Sequence, residues 1–433
     1  MNPPRPTTSR AVAADVLARV ADDDAYASAA LSHALERSAL EARDRALATE
    51  LVYGVLRTEP HLRRRLERFA DLKKADPLAV RHLLIAAYQI EFLDRVPAHA
   101  AEHEAVQLVR EGKDARSSGF VNAVLRKLTT EVEGAPLSLE DGIWTSAPSW
   151  LRKKLERAVG VEDARQLLTD VRAPAPTLRL RPGRAAPPWF ADETEAIEGC
   201  PGAVRYIFGG DPRRHPEFAA GDFVVQELGA QLVAHALGVR AGERVFDVCA
   251  GRGHKTALLA EAAGNDGVVW ATDLHEHKVS TLDQEMRHLG LAVHAAVWDA
   301  TAPARQEWQG SFDRVLVDAP CTGVGTLRRR PEIVRRLTPE DPARLAALQA
   351  ELLRNAAALL RPSGVLIFAT CSVLEAEGEE VLARVADVLE PAPFGDTNAP
   401  DVFPSDATFV RLLPRRTGSD GYFVARLRRK SVE

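Results

Sequence analysis

The stretch "RVFDVCAGRGHKT", Arg244–Thr256, reads as a strand, a tight turn and the start of a helix. Asp247 closes the strand. Gly251 and Gly253 can adopt turn conformations closed to other residues, and without side chains they let a ligand approach the backbone. The helix that follows presents free N–H groups and a positive dipole end. Asp273 stands 20 residues beyond Gly253, at the end of the next β-rich run, where an acid can grip ribose hydroxyls. The third glycine of the dinucleotide fingerprint is missing, which disfavours NAD. Asp299, in "VWDA", follows a third β-rich run. Taken singly, the glycines fit an ordinary βα turn, and each acid fits a loop or cap. Three acids after three successive strands suit a net-cationic ligand that carries adenosine, such as S-adenosylmethionine.

Outward from this turn the pattern holds. From residue 226, short β-rich runs (Arg244–Asp247, Val268–Thr272, Ala292–Val297, Arg314–Val317, Val365–Ala369, Tyr422–Leu427) alternate with helical stretches such as Pro342–Leu360. That alternation predicts an α/β, Rossmann-like domain over 226–433 with a mostly parallel sheet. Residues 1–135 predict an all-α domain. There Val80, Leu83, Leu84 and Ala87, then Val121, Val124, Leu125 and Leu128, repeat with helical spacing. Between the two, 136–225 is rich in proline, and its "TLRLR" (Thr177–Arg181) alternates like a strand. A linker passing into a small mixed α/β subdomain is expected there.

Composition excludes several classes. The 433 residues carry four cysteines, too few for a disulfide framework, and a formal net charge of −5. No apolar run reaches the ~18 residues of a membrane span, and no secretory h-region follows "MNPPRPTTSR". A cytoplasmic monomer with reduced thiols, no membrane association and no metal is expected. Basic clusters at Arg63–Arg65, Arg328–Arg330 and Arg335–Arg336 read most simply as solvated helix faces. Overall charge neither supports nor excludes an RNA substrate.

Two cysteines stand just past two apolar runs. Cys321 lies in "DAPCTGVG" (Asp318–Gly325) and Cys371 in "ATCSVLEAE" (Ala369–Glu377). Either alone reads as a small buried hydrophobe. Ligands of open α/β sheets sit outside the carboxyl ends of the strands, so both thiols can face one crevice. A pair there has a chemical use. C5 of cytosine is a poor nucleophile, but a thiolate adding to C6 makes C5 enamine-like and able to attack a sulfonium methyl. The adduct must then lose the C5 proton and expel the thiolate, so one thiol attacks and a second group assists release.

The motifs resemble those of a known family. "DAPCTGVGTLRRRPEI" and "ATCSVLEAEGEE" are similar to motifs IV and VI of RNA cytosine-C5 methyltransferases, and "DVCAGRGHKT" to their motif I. "LAALQAELLRNAAALLRPSG" and "DGYFVARL" resemble the helix before motif VI and the closing strand of that family. "VPAHAAEHEAVQLVR" and "GFVNAVLRKL" resemble a NusB-type RNA-binding domain. The fusion resembles the bacterial Sun/RsmB (Fmu) type, which implies 16S ribosomal RNA as substrate. The resemblance implies Cys371 as nucleophile, Cys321 as the group assisting release, and Asp318 at the base edge and methyl junction. It implies a cofactor loop of Cys249, Ala250, Gly251, Arg252, Gly253, His254 and Lys255, with Asp273 on the ribose and Asp299 on the adenine amine. Arg252 replaces the family's usual Pro and His254 a Gly. Arg181 stands where the family tends to have Asn. Two alternatives stand beside this reading: a non-catalytic ribosome-assembly factor that binds RNA, and a methyltransferase acting on tRNA.

Overall fold

The computed structural model describes residues 8–430, apart from 24, 113–114, 135, 173 and 397–400. The chain forms two compact units, one of Met1–Lys153, Ala164–Val171 and Leu327–Arg336, the other of Lys154–Asp163, Arg172–Thr326 and Leu337–Glu433.

The first unit is helical among its described residues. Helices span Ser9–Asp22, Ala27–Arg37, Ala42–Leu66, Pro77–Phe92, Ala98–Gly112, Ala115–Gly134 and Leu139–Ser146. The apolar stripe read from the sequence is its core: Val80, Leu83, Leu84, Ala87, Val121, Val124, Leu125 and Leu128 are all buried. One helix is packed closely against another at Gly54, where a Cβ would stand 2.0 Å from Tyr88 Cζ.

The segment Leu327–Arg336 belongs to this unit although its sequence lies within 226–433. Glu332 Oε1 accepts a hydrogen bond from Ala27 N (3.2 Å), placing a carboxylate at the N-terminus of the Ala27–Arg37 helix. Arg57 donates to Arg328 O (2.9 Å), Arg335 pairs with Glu59, and Arg336 donates to Ala25 O (2.8 Å). The guanidinium carbons of Arg330 and Arg336 lie 5.3 and 5.7 Å from the Tyr26 ring centroid. These arginines are therefore engaged within the helical unit, rather than forming a plain solvated face.

In the second unit, β1 (Thr177–Leu180), β2 (Thr194–Ala196), β3 (Ala203–Tyr206) and β4 (Phe223–Val225) make an antiparallel sheet in the order β2-β3-β1-β4. The alternation in "TLRLR" thus marks a strand. Arg181, just past it, is buried and pairs through Nε with Glu261 Oε1 (2.6 Å); Arg179 pairs with the same carboxylate. Arg181 also donates to Gly221 O (2.8 Å) and Leu289 O (2.7 Å), so its donors serve the fold.

The larger sheet comprises β5 (Arg244–Asp247), β6 (Val268–Asp273), β7 (His294–Val297), β8 (Phe312–Asp318), β9 (Leu360–Thr370), β10 (Leu389–Pro391), β11 (Phe409–Leu412) and β12 (Tyr422–Arg429). Its order is β10-β12-β9-β8-β5-β6-β7, with β11 also on β12. The pairs from β7 through β9 are parallel, and β12 joins β9 antiparallel. This is the mostly parallel Rossmann-like sheet expected. Val315 and Val317 enter one apolar cluster and Leu316 the other, as a strand buried on both faces requires. The helix read as Pro342–Leu360 spans Asp341–Ala357, because Leu360 already begins β9. Strand succession reverses between β5 and β8. At that switch point the carboxyl ends of parallel strands open a crevice.

Candidate active site

Each expected site residue in this unit follows the carboxyl end of a parallel strand. Beyond β5, Gly251 (φ 58°) and Gly253 (φ 88°) both adopt the left-handed conformation that side chains disfavour. A Cβ on Gly253 would also lie 3.0 Å from Leu282 Cγ and 3.1 Å from Met286 Cε. On Gly251 it would meet nothing within 4 Å, so that face of the turn is open to a ligand. Asp273, at the end of β6, is tied to the turn: its Oδ2 accepts from Gly251 N (3.2 Å) and its Oδ1 from His275 N (3.0 Å). Asp299 is exposed, and its Oδ1 accepts from Thr301 N (3.0 Å) and Oγ1 (2.6 Å). These hydrogen bonds lower its pKa. Arg252 and His254 are exposed on either side of Gly253.

Behind the turn, Asp247 is buried. Its Oδ2 accepts from Thr256 Oγ1 (2.7 Å) and its Oδ1 has no hydrogen-bond partner. Burial pushes the carboxyl up to about 7, against the Thr256 hydrogen bond, which lowers it. Lys255 Nζ lies 2.5 Å from Asp318 Oδ2, joining the turn to the end of β8. Burial alone would lower the lysine pKa, but the charge and hydrogen bond of Asp318 override it and raise it. Cys249 is raised by burial and by Asp247, so its thiol stays protonated. Cys200 is a core residue whose thiol burial pushes to about 12.

The ends of β8 and β9 bring the two motif cysteines together. Cys321 Sγ and Cys371 Sγ are 3.2 Å apart, and both are free thiols. The hydrogen bond to Cys371, then burial, then the charges of Cys371, Glu377 and Asp318, raise the Cys321 pKa well above its ordinary value. Cys321 therefore keeps its proton and can donate it towards Cys371 Sγ. Backbone contacts fix the geometry: Gly325 N donates to Cys371 O (2.9 Å), and Gly421 N to Gly325 O (2.8 Å). Sequence reading passed over Gly325 and Gly421, and also Gln349 and Glu377, which lie beneath the thiols. Glu377 sits among Glu375, Glu379 and Glu380, so it resembles one member of a solvated acidic face.

Residues 7–130 match the NusB family, and residues 234–428 match the family described as 16S rRNA methyltransferase RsmB/F. A Bacillus subtilis protein named "Probable ribosomal RNA small subunit methyltransferase B" is 34% identical, over 98% of this chain and 99% of its own length. The chain belongs to the RsmB/F family of methyltransferases. A Pseudomonas syringae member named "Ribosomal RNA small subunit methyltransferase B" is 32% identical over 96% of both chains. The crystal structure of PH0851 shares the fold, with a TM-score of 0.80 and 23% identity over 99% of each chain. The NusB match covers the first unit's helices up to residue 130, and the RsmB/F match spans both thiols, the glycine turn and the large sheet up to residue 428.

Two predictions concern this RsmB/F site. A Cβ on Gly325 would stand 1.9 Å from Gly421 O, a backbone atom that cannot swing aside. Gly325→Ala should destabilise the protein by at least the ~1–3 kcal/mol of overpacking, measured by urea denaturation. An unchanged midpoint would mean that this contact is not made. Asp247 titrates near 7 when folded, against an unfolded value of about 4. Between those pH values the unfolded chain has released a proton that the folded chain keeps, so this residue's contribution to stability falls as pH rises. Asp247→Asn should remove that slope. The difference in unfolding free energy, variant minus wild type, should climb by on the order of 1 kcal/mol per pH unit from about 4 to 7, then level off. A difference that is flat with pH would show that Asp247 titrates normally.

Proposed function

We propose that this RsmB/F methyltransferase moves a methyl group from S-adenosylmethionine to C5 of a cytosine in RNA, with 16S ribosomal RNA as its substrate. The observation that carries the reading is the Cys321–Cys371 pair, 3.2 Å apart. Two thiols at that distance, beside the Lys255–Asp318 pair, suit a reaction that must both form and dismantle a sulfur–carbon bond. The names of the relatives support the ribosomal substrate.

The residues fit the methyl donor. The open face of Gly251 accepts close approach, the first turn of the helix His254–Ala263 offers backbone N–H groups, and Asp273 stands beside both. Cys249 to Lys255 would line the donor, Asp273 would take ribose hydroxyls, and Asp299 the adenine amine. When bound, S-adenosylmethionine supplies an electrophilic methyl on a sulfonium.

Cys371 acts as nucleophile: with its thiol proton released to solvent, the Sγ electron pair bonds to C6 of the cytosine and the C5–C6 π electrons move to C5. Asp318, held by Lys255, meets the edge of the base. C5 takes the methyl group, its proton passes to a base, and the C5–H electrons restore the C5–C6 double bond as the C6–Sγ bond breaks. Cys321 assists that release. Its S–H, 3.2 Å from Cys371 Sγ, can hydrogen-bond to the thiolate that leaves C6.

Incubation with unmodified 16S RNA and labelled S-adenosylmethionine tests the division of labour. Cys371→Ala should abolish both methyl transfer and covalent adduct. Cys321→Ala should attack but release slowly, so a protein–RNA adduct that resists denaturing electrophoresis should accumulate. Adduct trapped by Cys371→Ala, with normal turnover in Cys321→Ala, would reverse the assignment. For the donor, Asp273→Ala should weaken S-adenosylmethionine binding by roughly 1–3 kcal/mol, the scale of lost charge-assisted hydrogen bonds. Unchanged affinity by calorimetry would remove Asp273 from the ribose site.

A further inference from the structure

Beneath the two thiols lies a buried carboxylate that the proposed chemistry does not use. Glu377 is completely buried, and among the described residues no cation forms an ion pair with it. Burial raises its pKa, while hydrogen bonds from Ser372, Thr322 and Gln349 hold it down. An unpaired buried carboxylate is costly to a fold, so its hydrogen bonds show what it is kept for.

Both carboxylate oxygens accept from Thr322. Oε1 accepts from Thr322 N (2.8 Å) and Oε2 from Thr322 Oγ1 (2.5 Å). Thr322 follows Cys321 in the chain. Pro320, which precedes Cys321, is held from the same side: Gln349 Nε2 donates to Pro320 O (2.9 Å) and to Glu377 Oε1 (3.2 Å). Cys321 is therefore gripped through both neighbours. The Cys371 carbonyl accepts from Gly325 N (2.9 Å), and Ser372, next in the chain, accepts from Thr322 Oγ1 (3.2 Å). Glu377 itself comes from the 3-10 turn just after Cys371, so it ties the loop of one thiol to the loop of the other.

We propose that Glu377, through Thr322 and together with Gln349, is a positioning residue for the release step, holding the Cys321 thiol against the adduct that Cys371 forms. It rests on the reading of the two thiols given above. Its loss should mimic loss of Cys321 and leave attack by Cys371 intact. A residue that merely supports the fold would weaken both steps and cofactor binding together.

The test uses full-length protein, unmodified 16S RNA and labelled S-adenosylmethionine. Glu377→Gln keeps the shape of the side chain but not its charge. Thr322→Val keeps the β-branch but removes the hydroxyl, and serves if the first variant folds poorly. Each should accumulate adduct about tenfold above wild type, with turnover reduced to match. Single-turnover attack and S-adenosylmethionine affinity should stay within about twofold. Thr322→Ser, which keeps the hydroxyl, should restore release. Adduct in Cys321→Ala but none in Glu377→Gln or Thr322→Val overturns this inference alone. Parallel loss of attack, release and cofactor binding overturns it too, in favour of a general structural role. Absence of adduct even in Cys321→Ala overturns the underlying reading of the thiols.

Discussion

Parallel pairing between β8 and β9, in one register from Arg314 to Asp318, is the constraint on which the site depends. Asp318 lies opposite Ala369, so the chain leaves both strands at the same height. From there, three residues reach Cys321 and two reach Cys371, and the two loops converge to an Sγ separation of 3.2 Å. A slip of one residue would turn every side chain of β9 to the other face and send its loop away from Cys321. The register is protected because β8 and β9 bury apolar side chains on both faces, Val315, Leu316 and Val317 against Leu366, Ile367 and Phe368. The order of β5 and β8 matters in the same way. By reversing the direction of strand succession there, the sheet brings the glycine turn, Asp318 and the thiols to one crevice, with Lys255 bridging two of them.

This crevice concentrates buried charge. Asp247 and Glu377 are fully or nearly fully buried carboxylates, and Lys255 is mostly enclosed against Asp318. Each would be costly unless paired or hydrogen-bonded. The solutions differ by position. Lys255 and Asp318 neutralise each other. Glu377 is held by neutral donors, so it can anchor a loop without neutralising the charge. Asp247 keeps one oxygen unpartnered, and its pKa rises accordingly. The hydrogen bond to Cys371, burial, and the charges of Cys371, Glu377 and Asp318 together keep the proton on Cys321.

The sequence showed the alternation of strands and helices, the glycine turn and the two cysteine motifs because each depends on local chemistry: period, conformational freedom at glycine, and residues at strand ends. It hid what depends on tertiary neighbours. Arg181 ends an exposed-looking alternating run, yet Glu261, 80 residues away, draws it inward. Arg328–Arg330 read as solvated, yet their segment packs with helices almost 300 residues earlier, through Arg57 and Tyr26. Glu377 is one of four glutamates within six residues, and no pattern in the chain separates the buried one from the other three. Strand ends were misjudged where a strand continued past its apolar run, as in β9, which begins at Leu360.

The departures from the usual motif I fall where the backbone tolerates them. Glycine at 251 and 253 supplies the turn's two positive φ angles, and at 253 also makes room for the close approach of Leu282 and Met286. Arg252 and His254 occupy the intervening and following positions, where side chains point outward and the helix begins. No atom of His254 comes within 4 Å of the position a Cβ on Gly251 would take. The guanidinium of Arg252 adds a positive charge to a turn otherwise surrounded by Asp247, Asp273 and Asp318. It stands at a helix N-terminus, which already favours an anion. In this chain, therefore, the turn carries a guanidinium beside the backbone N–H groups of the helix N-terminus, among three acids.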